Sequence, residues 1–138
     1  MPKIHTCADL PEEVVKSLKT DGIACIDAEF TGLSIPMHDR LSLVQICGKD
    51  SKEIYLIQPN KKYETPSLVK VLEDPNIQII GHFLRADKKA LEFFLKPKFK
   101  IKNILILIIF FALSSINFKS SSNPNEVVLI IRLILTKL

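Results

Sequence analysis

The sequence has no tryptophan, two tyrosines, four glycines and three cysteines in 138 residues. Cys7, Cys25 and Cys47 are odd in number and include no C-x-x-C pair. They exclude a disulfide framework and a zinc site, and a reducing, cytoplasmic setting is expected. The opening Met1-Pro2-Lys3-Ile4-His5 carries no apolar h-region, so no secretory leader is expected. Broad positive charge is also lacking, since residues 1–100 hold 14 acids and 15 bases. That balance excludes a wide electrostatic nucleic-acid face, though not a small site that holds a phosphate through metal ions. No apolar run is long enough to cross a bilayer. The longest, Ile104–Leu113, has ten residues. As a helix it would span about 15 Å of a hydrocarbon core of about 30 Å. Widening it to Ile101–Phe118 admits Lys102, Asn103, two serines and Asn117, so a membrane-crossing helix is not expected.

What is present divides at residue 100. Before it, charge is balanced and turn residues punctuate the chain. After it there is no glycine, Glu126 is the one acid, and isoleucine with leucine fills 16 of 38 positions. We therefore expect a folded unit over 1–100 and a divergent hydrophobic tail over 101–138. Within the unit, Asp9 with Glu12 and Pro11 predicts a capped helix carrying Leu10, Val14, Val15 and Leu18, ended by Thr20-Asp21-Gly22. Ile23–Phe30 is a short buried strand. Arg40–Cys47, apolar on both faces, is a central one. Gly48–Ser51 turns the chain into a strand over Glu53–Gln58. Thr65-Pro66 caps a helix with Leu68, Val69, Val71 and Leu72 on its stripe. Ile77–Gly81 is a fourth strand, and Ala86–Leu95 a last helix. The fold class is α/β: a mixed sheet, made of an antiparallel three-strand meander plus a further strand, with flanking helices.

Asp27 and Glu29 carry the chemical signal. Residues i and i+2 of a strand share a face, so two carboxylates project together from apolar surroundings. Partly buried like charges repel unless a proton or a cation neutralises them. Oxygen ligands alone suit Mg²⁺ or Mn²⁺. The plainer reading is a strand that ends at Asp27 with both acids solvated. Asp87, in the first turn of the last helix, joins them if the fourth strand lies beside the first; otherwise it is a charge favoured by the helix dipole. His5 and His38 have no ligand partners at useful spacing and read as solvated. Cys25 and Cys47 read as core, Lys61-Lys62 and Lys88-Lys89 as solvated faces, and Arg85 as a phosphate candidate.

Ile26-Asp27-Ala28-Glu29-Phe30-Thr31-Gly32-Leu33, followed by Arg40-Leu41-Ser42-Leu43-Val44-Gln45-Ile46, resembles the first motif and second strand of ribonuclease D-type 3′–5′ exonucleases. Ile80-Gly81-His82-Phe83-Leu84-Arg85-Ala86-Asp87 is similar to that family's second motif, with histidine five residues before aspartate. The resemblance covers about residues 1–100 and implies a ribonuclease H-like fold, incomplete at its C-terminus. It implies hydrolysis at the 3′ end of single-stranded nucleic acid, RNA before DNA. Two Mg²⁺ or Mn²⁺ ions about 4 Å apart would clamp the scissile phosphate. Asp27 would bridge both ions, Glu29 would ligate the water-activating ion, and Asp87 would hold the second site through water. Phe30, Thr31, Gly32 and Leu33 would border the terminal nucleotide. His82 would either contact substrate or pack where the helix begins.

The family's third motif, Tyr or His followed after three residues by Asp, has no candidate here. No Asp follows Asp87, no His follows His82 and no Tyr follows Tyr63. An impaired exonuclease is therefore expected, with at most one weak cation site. The alternatives are a non-catalytic remnant, or a protein attached to a membrane through residues 101–118. The exposed apolar tail also offers a surface for self-association. Loss of charge balance, glycine and third motif at one boundary is what a frameshift near codon 100 in AT-rich DNA would give. Translating the other two frames beyond that codon is expected to reveal a Tyr- or His-x-x-x-Asp on a helical pattern; its absence from both would return the weight to a genuine tail.

Overall fold

A computed structural model describes residues 2–32, 39–82, 84–95, 100–101 and 103–107. In chain order these form β1 (Lys3–Cys7), α1 (Glu12–Asp21), β2 (Ile23–Phe30), β3 (Leu41–Cys47), β4 (Glu53–Ile57), α2 (Pro66–Glu73), β5 (Gln78–His82), α3 (Leu84–Leu95) and β6 (Ile104–Leu107). One sheet holds all six strands in the order β1-β4-β3-β2-β5-β6. The expected meander is β2-β3-β4, antiparallel at both joints. The β1–β4, β2–β5 and β5–β6 pairs are parallel, so β3 alone runs against the rest. The mixed α/β architecture read from the sequence is thus the one observed.

The three helices share one side. Connections between parallel strands are right-handed almost without exception, and here all three crossovers move the same way along the sheet. Their buried residues (Val14, Val15, Leu18; Leu68, Val71, Leu72; Leu91, Leu95) join one core with Ala24, Ile26, Ala28, Val44, Ile46, Ile57 and Ile79. Strand alternation then sends Cys25, Asp27 and Glu29 to the opposite face.

Four details differ from the sequence expectation. First, β1 precedes the helix that was expected to open the fold. Its apolar Ile4 is 48% exposed, while His5 lies toward the core side, so the alternation is inverted and unreadable as a buried strand. Second, His5 is not simply solvated. Its ring stacks on Tyr55 at 4.8 Å, its Nε2 lies 3.5 Å from Glu53, and the Tyr55 hydroxyl donates to Glu53 at 2.9 Å.

Third, neither helix is capped by the residue the sequence nominates. Pro11 occupies the N-cap of α1 with no side-chain cap bond. Thr65 makes none at α2, and its buried hydroxyl has no partner. Asp9 instead reaches across the chain to α2. Its carboxylate accepts the Ser67 N–H at 2.8 Å and the Leu68 N–H at 2.9 Å, and also its neighbour Leu10's at 2.8 Å. The expected C-terminal stop does hold: Gly22 takes φ +66° and donates to the Leu18 carbonyl. Fourth, α3 begins at Leu84, two residues earlier than expected, directly after β5.

β6 lies in the segment read as divergent from residue 101, and pairs Ile104 with Ile79 and Leu105 with Ile80. Residues 108–138, and with them the frameshift and most of the membrane-attachment reading, fall outside the described residues. Among the described residues, no helix is long and apolar enough to cross a membrane.

Asp9→Ala leaves two first-turn amides of α2 without their acceptor. The expected loss is about 1–2 kcal/mol, read as a lower urea midpoint at unchanged slope; an unmoved midpoint would show that the cap contributes nothing.

Candidate active site

The site is built where β2 ends and α3 begins. β2 is enclosed by β3 on one side and β5 on the other, in register Ala24↔Ile79 and Cys25↔Ile80. The strand expected to lie beside it therefore does, and the chain passes from β5 straight into α3 with Asp87 in its first turn. An irregularity in pairing falls between Glu29 and Phe30, and such bulges re-aim side chains at sheet margins.

The three carboxylates share one electrostatic field. Burial, then the charge of Glu29, pushes the Asp27 carboxyl up to about 6, against a favourable backbone hydrogen bond at Ala28. Burial, then Asp27 and Glu29 in turn, pushes Asp87 up to about 7. Glu29 is exposed. Acids raised by desolvation and by neighbouring carboxylates form a field that a divalent cation would relieve. Oxygen donors alone fit Mg²⁺ or Mn²⁺, so the donor chemistry suits the implied ions. Among the described residues, no three His, Cys, Asp or Glu side chains are already gathered to hold one; without a counter-charge, repulsion opposes their approach.

The other expected residues are placed as follows. Phe30 is half-buried and lies 6.5 Å, ring to ring, from Phe94 of α3, which in turn packs on Tyr63 at 5.0 Å. Thr31 is tied into its own loop: its N–H donates to the Arg40 carbonyl at 3.0 Å. Its hydroxyl accepts from the Arg40 N–H at 2.9 Å and donates to Asp39 at 3.2 Å. Gly32 lies against that same Asp39, whose Oδ1 would be 2.6 Å from a Cβ added there. Any side chain at 32 must displace the carboxylate. Leu33 is outside the described residues. The backbone of His82 ends β5, while its side chain and that of Arg85 are not described.

Gln45 was passed over in the sequence, although it is one polar residue in the otherwise apolar run Leu43-Val44-Gln45-Ile46-Cys47. It is 3% exposed, pairs directly with Asp27 across the β2–β3 ladder, and its Oε1 is buried without a hydrogen-bond partner. One step further along the same face, Cys25 opposes Cys47. Both are free thiols, and their mutual hydrogen bond pushes Cys47 up and Cys25 down.

Comparison with known proteins decides what this arrangement belongs to. Residues 2–108 match the 3′–5′ exonuclease family. The chain belongs to that family. NrnC of Brucella melitensis is 31% identical with a TM-score of 0.64, the match covering 77% of this chain and 49% of that one. NrnC with bound Mg²⁺ is 30% identical, with a TM-score of 0.64, over 77% of this chain and 50% of that one. Bound to pGG it gives 30% and 0.65 over the same shares. Trypanosoma brucei RNase D in complex with GMP, at 24% identity and a TM-score of 0.62 over 79% of this chain and 34% of that one, shares the fold. No curated protein sequence matches. The chain spans about half the length of the NrnC structures. The family match and the shared fold are consistent with the ribonuclease D-type, ribonuclease H-like domain that the sequence resembles.

The raised carboxyls make the cation-free domain sensitive to pH in a defined direction. Asp27 and Asp87 hold protons more tightly folded than unfolded. Their contribution to stability is therefore full below the ordinary value of 3.8 and is lost as pH rises through about 6 and 7. In chelator, the melting temperature is expected to fall from about pH 5 to pH 7.5. Asp87→Asn should flatten that slope and raise the melting temperature at the upper end. An unchanged slope in Asp87→Asn would show that Asp87 does not share the field.

Proposed function

We propose that this exonuclease domain removes nucleotides one at a time from the 3′ end of single-stranded RNA, with Mg²⁺ or Mn²⁺ held by Asp27, Glu29 and Asp87. The observation that carries the reading is the meeting of Asp27 and Glu29 at the end of β2 with Asp87 in the first turn of α3: burial first and neighbouring carboxylates second lift Asp27 and Asp87, and a divalent cation would relieve both. The similarity to NrnC, solved with Mg²⁺ and with pGG, supports both the ion and the ligand class. Near-balanced charge over residues 1–100 supports a strand end as substrate in preference to a duplex.

By the resemblance Asp27 would bridge the family's two ions, although at most one weak site is expected in these 138 residues. Glu29 would hold the one beside the attacking water, and Asp87 the other through water. Bound there, the ions supply positive charge to the scissile phosphate and lower the pKa of water. Phe30 offers a ring face to the terminal base, backed by Phe94. Thr31 and Gly32, braced by Asp39 and Arg40, would form the rim; Leu33 beside them, and His82 as a substrate contact, are carried by the family resemblance alone. The free thiols agree with a reducing, cytoplasmic setting.

Within these 138 residues no Asp follows Asp87, so these residues by themselves do not supply the acid and water-orienting group of the third motif, and slow hydrolysis is expected of them alone. On a 5′-labelled single-stranded RNA with Mn²⁺, we expect single-nucleotide shortening from the 3′ end, lost in Asp27→Asn. The rate should lie below that of a relative with a complete third motif by a factor of about 10² to 10⁴. Internal cleavage, or shortening that Asp27→Asn leaves intact, would overturn the assignment. A rate equal to the complete relative would overturn the impairment.

A further inference from the structure

Three acids by themselves are an incomplete shell for a cation that takes six or more oxygens. The described structure contains one more oxygen on the same face. Gln45 stands directly opposite Asp27 in the antiparallel ladder, and side chains so paired have Cβ atoms about 4.5–5.5 Å apart. The residue is 3% exposed, and its Oε1 is buried with no donor to it. A buried amide oxygen left without a partner costs stability. An apolar residue would sit in β3 at no such cost, as the buried Cys47 does two residues on along the same face. The orphaned oxygen thus belongs to the residue paired with Asp27, on the face that carries the proposed cation site.

We infer that Gln45 completes the oxygen set on the Asp27 side, its side-chain carbonyl entering the shell of the bound divalent cation. The inference rests on the proposed cation site and adds a neutral ligand to it. Amide carbonyls are ordinary ligands of hard cations. A neutral oxygen also has a physical advantage here: a further carboxylate would add to the repulsion that already lifts Asp27 and Asp87. Within these 138 residues, which hold no Asp after Asp87, Gln45 adds a neutral oxygen to the three carboxylates.

The test uses Mn²⁺ alone, titrated calorimetrically into the full chain, so that no turnover is needed. Gln45→Leu keeps the volume and removes the oxygen; its Mn²⁺ affinity is expected to fall about tenfold or more, while its cation-free melting temperature holds or rises. Gln45→Glu retains an oxygen and adds charge, and should bind Mn²⁺ at least as tightly as the unmodified chain. Asp27→Asn should abolish binding. A residue that only packs the sheet would alter the cation-free melting temperature and leave Mn²⁺ affinity alone. Unchanged affinity in Gln45→Leu, with loss in Asp27→Asn, overturns the role of Gln45 and leaves the cation site standing. No binding by the unmodified chain overturns both. Should Gln45→Leu not fold, Gln45→Glu decides: weakened binding there overturns the inference.

Discussion

Repulsion among Asp27, Glu29 and Asp87 is the constraint around which the rest is arranged. Two of these acids are brought to one face by strand alternation and the third by the first turn of a helix, so their backbones cannot separate without breaking regular structure. The sheet opposes the repulsion by enclosing β2 between β3 and β5, with α3 beginning two residues after β5 ends. The apolar core that stabilises the assembly lies on the other face, where all three helices pack. Stability and chemistry are thus separated by the thickness of one strand. Ala24, Ile26 and Ala28 serve the first; Cys25, Asp27 and Glu29, one residue out of phase, are left for the second.

What the sequence disclosed follows from how local its causes were. β2 was readable to its ends because an apolar run bounded by Gly22 and the Thr31-Gly32 turn has one sensible conformation. The β3–β4 hairpin, the stop at Gly22 and the stripe of α2 were equally local. Asp27, Glu29 and Asp87 could be named because carboxylates stand out against apolar neighbours. Their meeting depended on whether β5 lies beside β2, which only the sheet order settles. β1 escaped notice because its polar side faces inward and is stabilised by partners some fifty residues on: Tyr55 and Glu53 for His5. Asp9 was credited to the helix next to it because a capping box is a local pattern; its true partners are Ser67 and Leu68. Gln45 passed as one polar residue among many, since burial and a cross-strand neighbour are not written in the chain order.

The neighbourhood of Thr31 and Gly32 illustrates how a rim can be rigid without being part of the sheet. Asp39 and Arg40 return the chain to β3 while holding Thr31 from both sides, and Gly32 is small because Asp39 is already there. A ring face at Phe30, supported by Phe94 and Tyr63, stands at the same margin. The parts that would meet a nucleotide are therefore braced by contacts between β2, β3 and α3, and inherit their order from elements whose main task is to position the acids.

The Asp9 bridge also bears on the order of events as the chain is made. The amides of Ser67 and Leu68 emerge from the ribosome long after Asp9, and α2 is only eight residues long. A helix that short is marginal by itself. It gains its cap only when the segment carrying β1 and α1 has taken its place against the growing sheet. The N-terminal segment thus waits for a partner more than fifty positions downstream, and α2 waits for it in turn. Such mutual dependence across a long loop raises contact order and slows folding, and it couples the first element of the chain to the helix that leads into β5. The carboxylate site, one strand further on, forms within a cooperative unit that Asp9 helps to close.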